Sequence, residues 1–77
     1  MRKEGNMTNC ELLKEKISGS GISITFIADK CNISREYFYR KLNGEVDFKQ
    51  SEIVTLQEVL HLTQGERNNI FFAKEVD

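Results

Sequence analysis

The feature that most constrains this chain is the segment 26–44, where two short stretches with helical spacing of apolar residues flank Asn32-Ile33-Ser34. Asn tolerates left-handed backbone better than most residues, so we expect the first stretch to end as a helix at Asn32. Ser34 is a favourable N-cap for a second helix, predicted from Arg35 to Leu42 with Phe38 and Leu42 facing inward. The segment therefore predicts two short helices joined by a tight turn.

Packing two such helices steeply against each other makes specific demands on their side chains, and this segment meets them. Ala28 is the small residue needed in the first helix where the second helix crosses it. Ile33 supplies an apolar side chain to fill the turn. Together with Phe38 and Leu42, these residues are predicted to be core. The pattern is that of a helix-turn-helix.

Three further helices are predicted around this pair. Thr8 and Glu11 fit a capping box for a first helix, which is expected to end in the turn 18–21. Ser23 is the predicted cap of the second helix, and Phe48 is a predicted apolar anchor in the loop before the fourth helix. That helix is predicted to open at residues 51–53, with its apolar stripe at Ile53, Leu56, Val59 and Leu60.

The fifth helix begins with a second predicted capping box, formed by Thr63 and Glu66, and carries Ile70, Phe71 and Phe72. Phe71 and Phe72 cannot both face the core, because neighbouring side chains on a helix point about 100° apart. One is expected to close the core and the other to contribute to a dimer surface. The predicted fold class is therefore all-α, with five short helices.

Length and composition limit the range of functions. The chain has 77 residues, which suits one domain, predicted at 8–77 with a disordered arm at 1–7. Cys10, Cys31 and His61 form no metal-binding pattern, so we expect no metal, no cofactor and a reduced, cytoplasmic protein. No catalytic constellation and no small-molecule substrate site is evident, which predicts a non-enzyme. No apolar run approaches the roughly 20 residues of a membrane span.

The segment Phe26–Gly44 resembles the helix-turn-helix of the Cro/phage-repressor (Xre-like) family of transcriptional regulators. The resemblance lies in Ile33-Ser34-Arg35-Glu36, in Leu42-Asn43-Gly44, and in the loop and helix from Phe48 to Leu60. It extends over roughly Glu11 to Ala73 and implies a compact, lambda-repressor-like domain of four or five helices. Two positions depart from the family pattern: Asn32 replaces the usual Gly, and Lys41 stands where an apolar residue is common.

The resemblance implies that the third helix enters the major groove of double-stranded DNA. The base-contacting residues carried over from it are Arg35, Glu36, Tyr39 and Arg40. Arg can donate twice to guanine, and Glu can accept from cytosine. Phosphates are expected to bind hydroxyl, amide and lysine side chains, namely Ser23, Thr25, Ser34, Lys41, Asn43 and Lys49.

Each of these roles has an alternative. Arg35 and Arg40 are also suitable as solvated surface residues, and Glu36 is favourable near a helix N-terminus whether or not DNA is bound. The leading hypothesis is a sequence-specific regulator that acts as a repressor and pairs on two half-sites as a homodimer through Phe71 or Phe72. The alternative is a helix-turn-helix fold used for protein contact, as an antirepressor or adaptor. The net charge of −1 motivates that alternative, because phosphate binding favours basic proteins.

Overall fold

A computed structural model of the chain describes residues 8–72, and all regular secondary structure in that range is α-helical. The predictions of an all-α class and of five helices are therefore confirmed for the described residues. The five helices are α1 (Cys10–Ser20), α2 (Ile24–Lys30), α3 (Arg35–Leu42), α4 (Gln50–Val59) and α5 (Gln64–Phe71). The bounds of α3 agree with the prediction, and α4 begins one residue earlier than predicted.

Three helices start with the side-chain caps that were predicted. Ser23, Ser34 and Thr63 are the N-caps of α2, α3 and α5, and each side chain accepts a hydrogen bond from the backbone N–H three residues later. At α5, Glu66 Oε1 also accepts from the backbone N–H of Thr63 at 2.9 Å, which completes the capping box. Local sequence therefore determines where these helices begin.

The start of α1 differs from the prediction, and the capping box proposed for Thr8 and Glu11 is wrong. Asn9 is the N-cap, and its Oδ1 accepts from the backbone N–H of Leu12 at 3.1 Å. The N–H of Asn9 donates to the carbonyl oxygen of Ile70, which holds the chain against α5 at this point. The helix also continues through residues 18–20, predicted as a turn, and ends at Gly21 in left-handed backbone (φ 76°).

Left-handed residues follow α2, α3 and α4, and each ends its helix with the same hydrogen bond. They are Asn32 (φ 63°), Gly44 (φ 83°) and His61 (φ 56°). In each case the N–H of the next residue donates to a carbonyl five positions earlier, at 2.9–3.1 Å. This is the bond that closes a Schellman motif. The left-handed role predicted for Asn32 is confirmed, whereas that of His61 was not anticipated.

The core is formed by residues of all five helices, and Phe48 in the loop before α4 packs against it. Phe48 packs edge-on against Phe38 and Phe71, with centroid distances of 5.9 and 5.6 Å, so its predicted anchoring role is confirmed. The buried apolar residues include Ala28, Phe38 and Leu42, as predicted, together with Leu13, Ile17, Ile27, Cys31, Ile53, Leu56, Leu62, Ile70 and Phe71. Ile33 packs against this core from the turn.

The predicted N-terminal arm, residues 1–7, lies outside the described residues, as do residues 73–77. Within 8–72, no helix has both the length and the apolar character that a membrane crossing requires.

Candidate nucleic-acid interface

The four predicted base-contacting residues all lie on the exposed side of α3. Arg35, Glu36, Tyr39 and Arg40 are exposed, and Tyr39 keeps 44% of its surface accessible. Arg35 and Tyr39 are four residues apart on the helix, and so are Glu36 and Arg40. The four side chains therefore lie on one side of α3. The opposite side of α3 is buried through Phe38 and Leu42. The helix thus separates a packing face from a polar face that is available to a partner.

The charged side chains on this face differ in whether they already form an ion pair within the described residues. Arg35 and Glu36 form no ion pair with any residue in 8–72. Arg40 Nε lies 3.2 Å from Glu45 Oε1, and its guanidinium lies 5.9 Å from the centre of the Tyr37 ring. Both charged groups of the Arg40–Glu45 pair are more than half exposed, and such pairs contribute only about 0–1 kcal/mol. Arg40 can therefore exchange Glu45 for another acceptor at little cost.

Five of the six predicted phosphate-binding residues are exposed. They are Ser23, Thr25, Ser34, Asn43 and Lys49. The caps Ser23 and Ser34 accept backbone hydrogen bonds through Oγ at 3.1 and 3.0 Å, which leaves each hydroxyl proton available to donate. These side chains lie at the starts of α2, α3 and α4 and at the end of α3. Their positions are compatible with the predicted role.

Lys41 is the exception, and its predicted role as a phosphate ligand is not compatible with the structure. Its side chain is 1% exposed, and its Nζ lies 3.0 Å from Glu52 Oε1. The same Nζ donates to the carbonyl oxygen of Asp47 at 2.8 Å and lies over the rings of Tyr37 and Phe48. Lys41 follows Phe38 by three residues and therefore shares the inward face of α3. Lys41 thus stands where the family pattern described above has an apolar residue, and its positive charge is balanced by the Glu52 carboxylate.

Two residues near this interface were not identified from the sequence. Lys14 of α1 lines a largely apolar groove of about 430 Å³ together with Ser23 and Tyr39, because α1 packs against α3. Glu52, the buried partner of Lys41, was predicted only as part of the start of α4. A lysine on the inward face of α3 and a glutamate beside the apolar stripe of α4 were the available signals for that pair.

The interface carries a mixture of charges rather than a uniformly positive surface. Lys41 contributes no free charge, and Arg40 is paired with Glu45. Exposed aromatic surface adjoins the same helix, with Tyr37 36% and Tyr39 44% accessible. The exposed side of α3 therefore combines Arg35, a cation with no ion pair within residues 8–72, with apolar contact area, which bears on the choice between a DNA partner and a protein partner.

The described residues contain no group of three His, Cys, Asp or Glu side chains arranged to hold a metal ion. The pKa of the Cys31 thiol is raised to about 11, chiefly by burial and also by the nearby Glu52 carboxylate, whereas Lys41 opposes the shift. Burial also raises the pKa of Cys10, against the opposing charge of Lys14. Both thiols are consequently protonated at neutral pH and are poor nucleophiles.

Phe71 and Phe72 divide as the sequence analysis expected. Phe71 is 3% exposed and belongs to the core, whereas Phe72 is 45% exposed. The guanidinium carbon of Arg67 lies 5.7 Å from the centre of the Phe72 ring. Phe72 is therefore the residue of the two that is available for a contact between chains.

Comparison of the chain with known protein families, with curated proteins and with solved structures finds no match.

Proposed function

We propose that this chain is a sequence-specific DNA-binding regulator of the Cro/phage-repressor type, with α2 and α3 as a lambda-repressor-like helix-turn-helix. The observation that carries the proposal is the exposed polar face of α3, formed by Arg35, Glu36, Tyr39 and Arg40. Its setting supports the proposal, because α3 packs on α2 across a four-residue turn whose Asn32 is left-handed. Such a turn is what a helix-turn-helix requires.

In this proposal α3 lies in the major groove. Arg35 and Arg40 donate to O6 and N7 of guanine, and Glu36 accepts from N4 of cytosine. Tyr39 contacts a thymine methyl group or a phosphate. The phosphate contacts come from the exposed side chains of Ser23, Thr25, Ser34, Asn43 and Lys49, which fix the register of the protein on the duplex.

The proposed mode of action is occupation of an operator by a cytoplasmic repressor. Two chains paired through Phe72 would present two copies of α3 to half-sites about one helical turn apart. The net charge of −1 implies weak non-specific binding, because phosphate neutralisation supplies that affinity. Discrimination between DNA sequences would then depend mainly on the base contacts of α3.

The test is selection of bound duplexes from a random pool, followed by fluorescence titration of the selected sequence at two salt concentrations. Arg35→Ala should relax the preference at one base position, at a cost of about 1–3 kcal/mol for the preferred base. Lys49→Ala should weaken binding to all sequences alike and reduce the salt slope by about 1. Recovery of no enriched sequence, with no salt-dependent binding, would contradict the proposal.

A second candidate function is supported by the mixed character of the same face. The Arg40–Glu45 pair and the exposed rings of Tyr37 and Tyr39 suit a protein partner, as in an antirepressor or adaptor. The titration distinguishes the two functions, because binding to DNA through phosphates weakens steeply with salt. A chain that binds no duplex at low salt would favour the protein-contact function.

A further inference from the structure

The buried ion pair of Lys41 and Glu52 joins the two parts of the proposed interface. Lys41 lies in the last turn of α3, directly after the proposed base contact Arg40, and Glu52 lies in the first turn of α4. Glu52 Oε1 is 3.0 Å from Lys41 Nζ and accepts from the backbone N–H of Lys49 at 2.8 Å. One carboxylate oxygen therefore connects the base-contacting helix with a proposed phosphate contact.

The rest of the Lys41 environment restricts the same geometry. Lys41 Nζ donates to the carbonyl oxygen of Asp47 at 2.8 Å, which ties the loop 43–49 to the end of α3. The rings of Tyr37 and Phe48 lie 4.9 and 5.8 Å from this nitrogen. The ammonium group is thus surrounded by one carboxylate, one carbonyl and two aromatic faces, and the side chains of Lys41 and Glu52 are 1% and 5% exposed.

A buried ion pair of this kind is poorly explained by stability alone. Desolvation of both charges offsets much of their attraction, and replacement of such pairs by uncharged residues of similar volume is often neutral or stabilising. What the pair provides is a directional constraint, because each acceptor fixes where the ammonium group lies. The constraint acts on the distance and angle between α3 and the start of α4.

We propose that Lys41 and Glu52 are positioning residues that set base discrimination without touching DNA. The inference rests on the proposed DNA-binding function. Phosphate contacts determine where a protein sits on the duplex, and base contacts determine which sequence it accepts there. If the Lys49 end of α4 holds the phosphate backbone, the Lys41–Glu52 pair fixes the depth and angle at which Arg35 and Arg40 meet the bases.

The decisive variant is the double substitution Lys41→Met/Glu52→Gln. Met fills the volume of the buried Lys stem without its ammonium group, and the Gln oxygen still accepts from the N–H of Lys49. The variant therefore removes the constraint between α3 and α4 and keeps the helix cap. We expect its midpoint of urea unfolding to lie near that of the wild type, and its preference for the selected duplex over a scrambled duplex to fall about tenfold. Binding to the scrambled duplex and its salt slope should not change.

The chain offers a control of the same connectivity in Lys16→Met/Glu66→Gln, whose two side chains are 35% and 36% exposed, so it tests loss of the ion pair but not of its burial. Glu66 likewise pairs with a lysine, at 2.6 Å, and likewise accepts from the backbone N–H of its N-cap residue. That pair joins α1 to α5 and includes no proposed DNA contact. The control should keep the full preference for the selected duplex, so a loss specific to the Lys41 variant cannot be attributed to removal of a Lys–Glu pair in general.

The outcomes separate the inference from the function on which it rests. Absence of any sequence preference in the wild type overturns the proposed function and the inference together. A wild-type preference that the Lys41→Met/Glu52→Gln variant retains in full overturns the inference alone. If the double variant does not fold, Glu52→Asp keeps both charges but shortens the carboxylate side chain by one methylene, which weakens its bond to Lys41, and it should show a smaller loss of preference. An unchanged preference in that variant also overturns the inference.

Discussion

At the scale of single residues, the left-handed positions after α2, α3 and α4 differ in how well the residue type suits the backbone. Asn32 and Gly44 belong to the two residue types that most readily adopt positive φ, but His61 does so at φ 56°. Its backbone is held there because the N–H of Leu62 donates to Gln57 and the Leu62 side chain is buried. Packing of Leu62 thus determines the conformation of His61.

We expect His61→Gly to raise the free energy of unfolding by about 0.5–1 kcal/mol. Glycine removes the penalty of about 1–2 kcal/mol that an L-residue pays in left-handed backbone, and the greater freedom of the unfolded chain returns part of that gain. Urea unfolding followed by circular dichroism measures the change. Asn32→Gly is the control and should be nearly neutral, because Asn already tolerates this conformation. Destabilisation by His61→Gly would contradict the account.

At the scale of elements, one half-buried carboxylate adds an ion pair to the contact between α1 and α5. Glu66 Oε2 lies 2.6 Å from Lys16 Nζ, while Oε1 completes the cap of α5. The hydrogen bond from Lys16, aided by the backbone of Thr63, holds the pKa of Glu66 below its ordinary value. Ionised Glu66 is therefore better stabilised in the folded protein than in the unfolded chain.

This pKa shift predicts a specific pH dependence. The stabilisation is fully present above the ordinary Glu value, about 4.3, and is lost as the pH falls through the lower value of the folded protein. Glu66→Gln should flatten the stability profile in this acidic window and leave its shape near neutrality unchanged. Thermal unfolding from pH 3 to pH 7 compares the two proteins. Parallel profiles throughout would show that Glu66 does not contribute.

The packing of α1 against α3 leads to a second prediction at this scale. Lys14 lines the groove that also contains Ser23 and Tyr39, whereas Lys16 of the same helix pairs with Glu66. Lys14→Ala should therefore weaken binding to all duplexes and lower the salt slope by about 1. Lys16→Ala, which removes the same charge from the same helix, should leave the slope unchanged. Equal effects of the two substitutions would indicate only a general response to net charge.

Helices were predictable from this sequence where local chemistry determines them. The caps Ser23, Ser34 and Thr63 mark helix starts by hydrogen bonds that span three residues. The start of α1 is marked by the same kind of local bond, from the N–H of Leu12 to the side chain of Asn9, but the sequence also offered Thr8 and Glu11 as a capping box, and that alternative was wrong. Lys41 was misassigned for a different reason: the partner that balances its charge, Glu52, lies on another helix.

At the scale of the whole molecule, the proposed homodimer rests on the exposed end of α5. Phe72 is 45% exposed, directly after the buried Phe71. Pairing of two chains on Phe72 would bury apolar surface that is otherwise in contact with water. In the proposed homodimer, Phe71 stays in the core of its own chain, whereas Phe72 must be exposed in order to contact the other chain.

Phe72→Ala should shift the chain toward the monomer in analytical ultracentrifugation while changing the free energy of unfolding of the monomer very little. Phe71→Ala, at the neighbouring position, should instead destabilise the fold by about 3–5 kcal/mol, because it leaves a cavity beside Phe48. Sedimentation of the wild-type chain as a monomer at all concentrations would contradict the assembly. In that case the exposed ring would have another partner or none.

The hydrogen bond between Asn9 and Ile70 also has a consequence for biosynthesis. The ribosome delivers α1 first and α5 last among the described helices, yet α1 is held at its start by α5. A nascent chain that has not yet released α5 carries an incomplete core, with Leu13 and Ile17 of α1 lacking part of their cover. The domain is therefore completed only after translation has passed Phe71, and until then its apolar residues are accessible to chaperones and proteases.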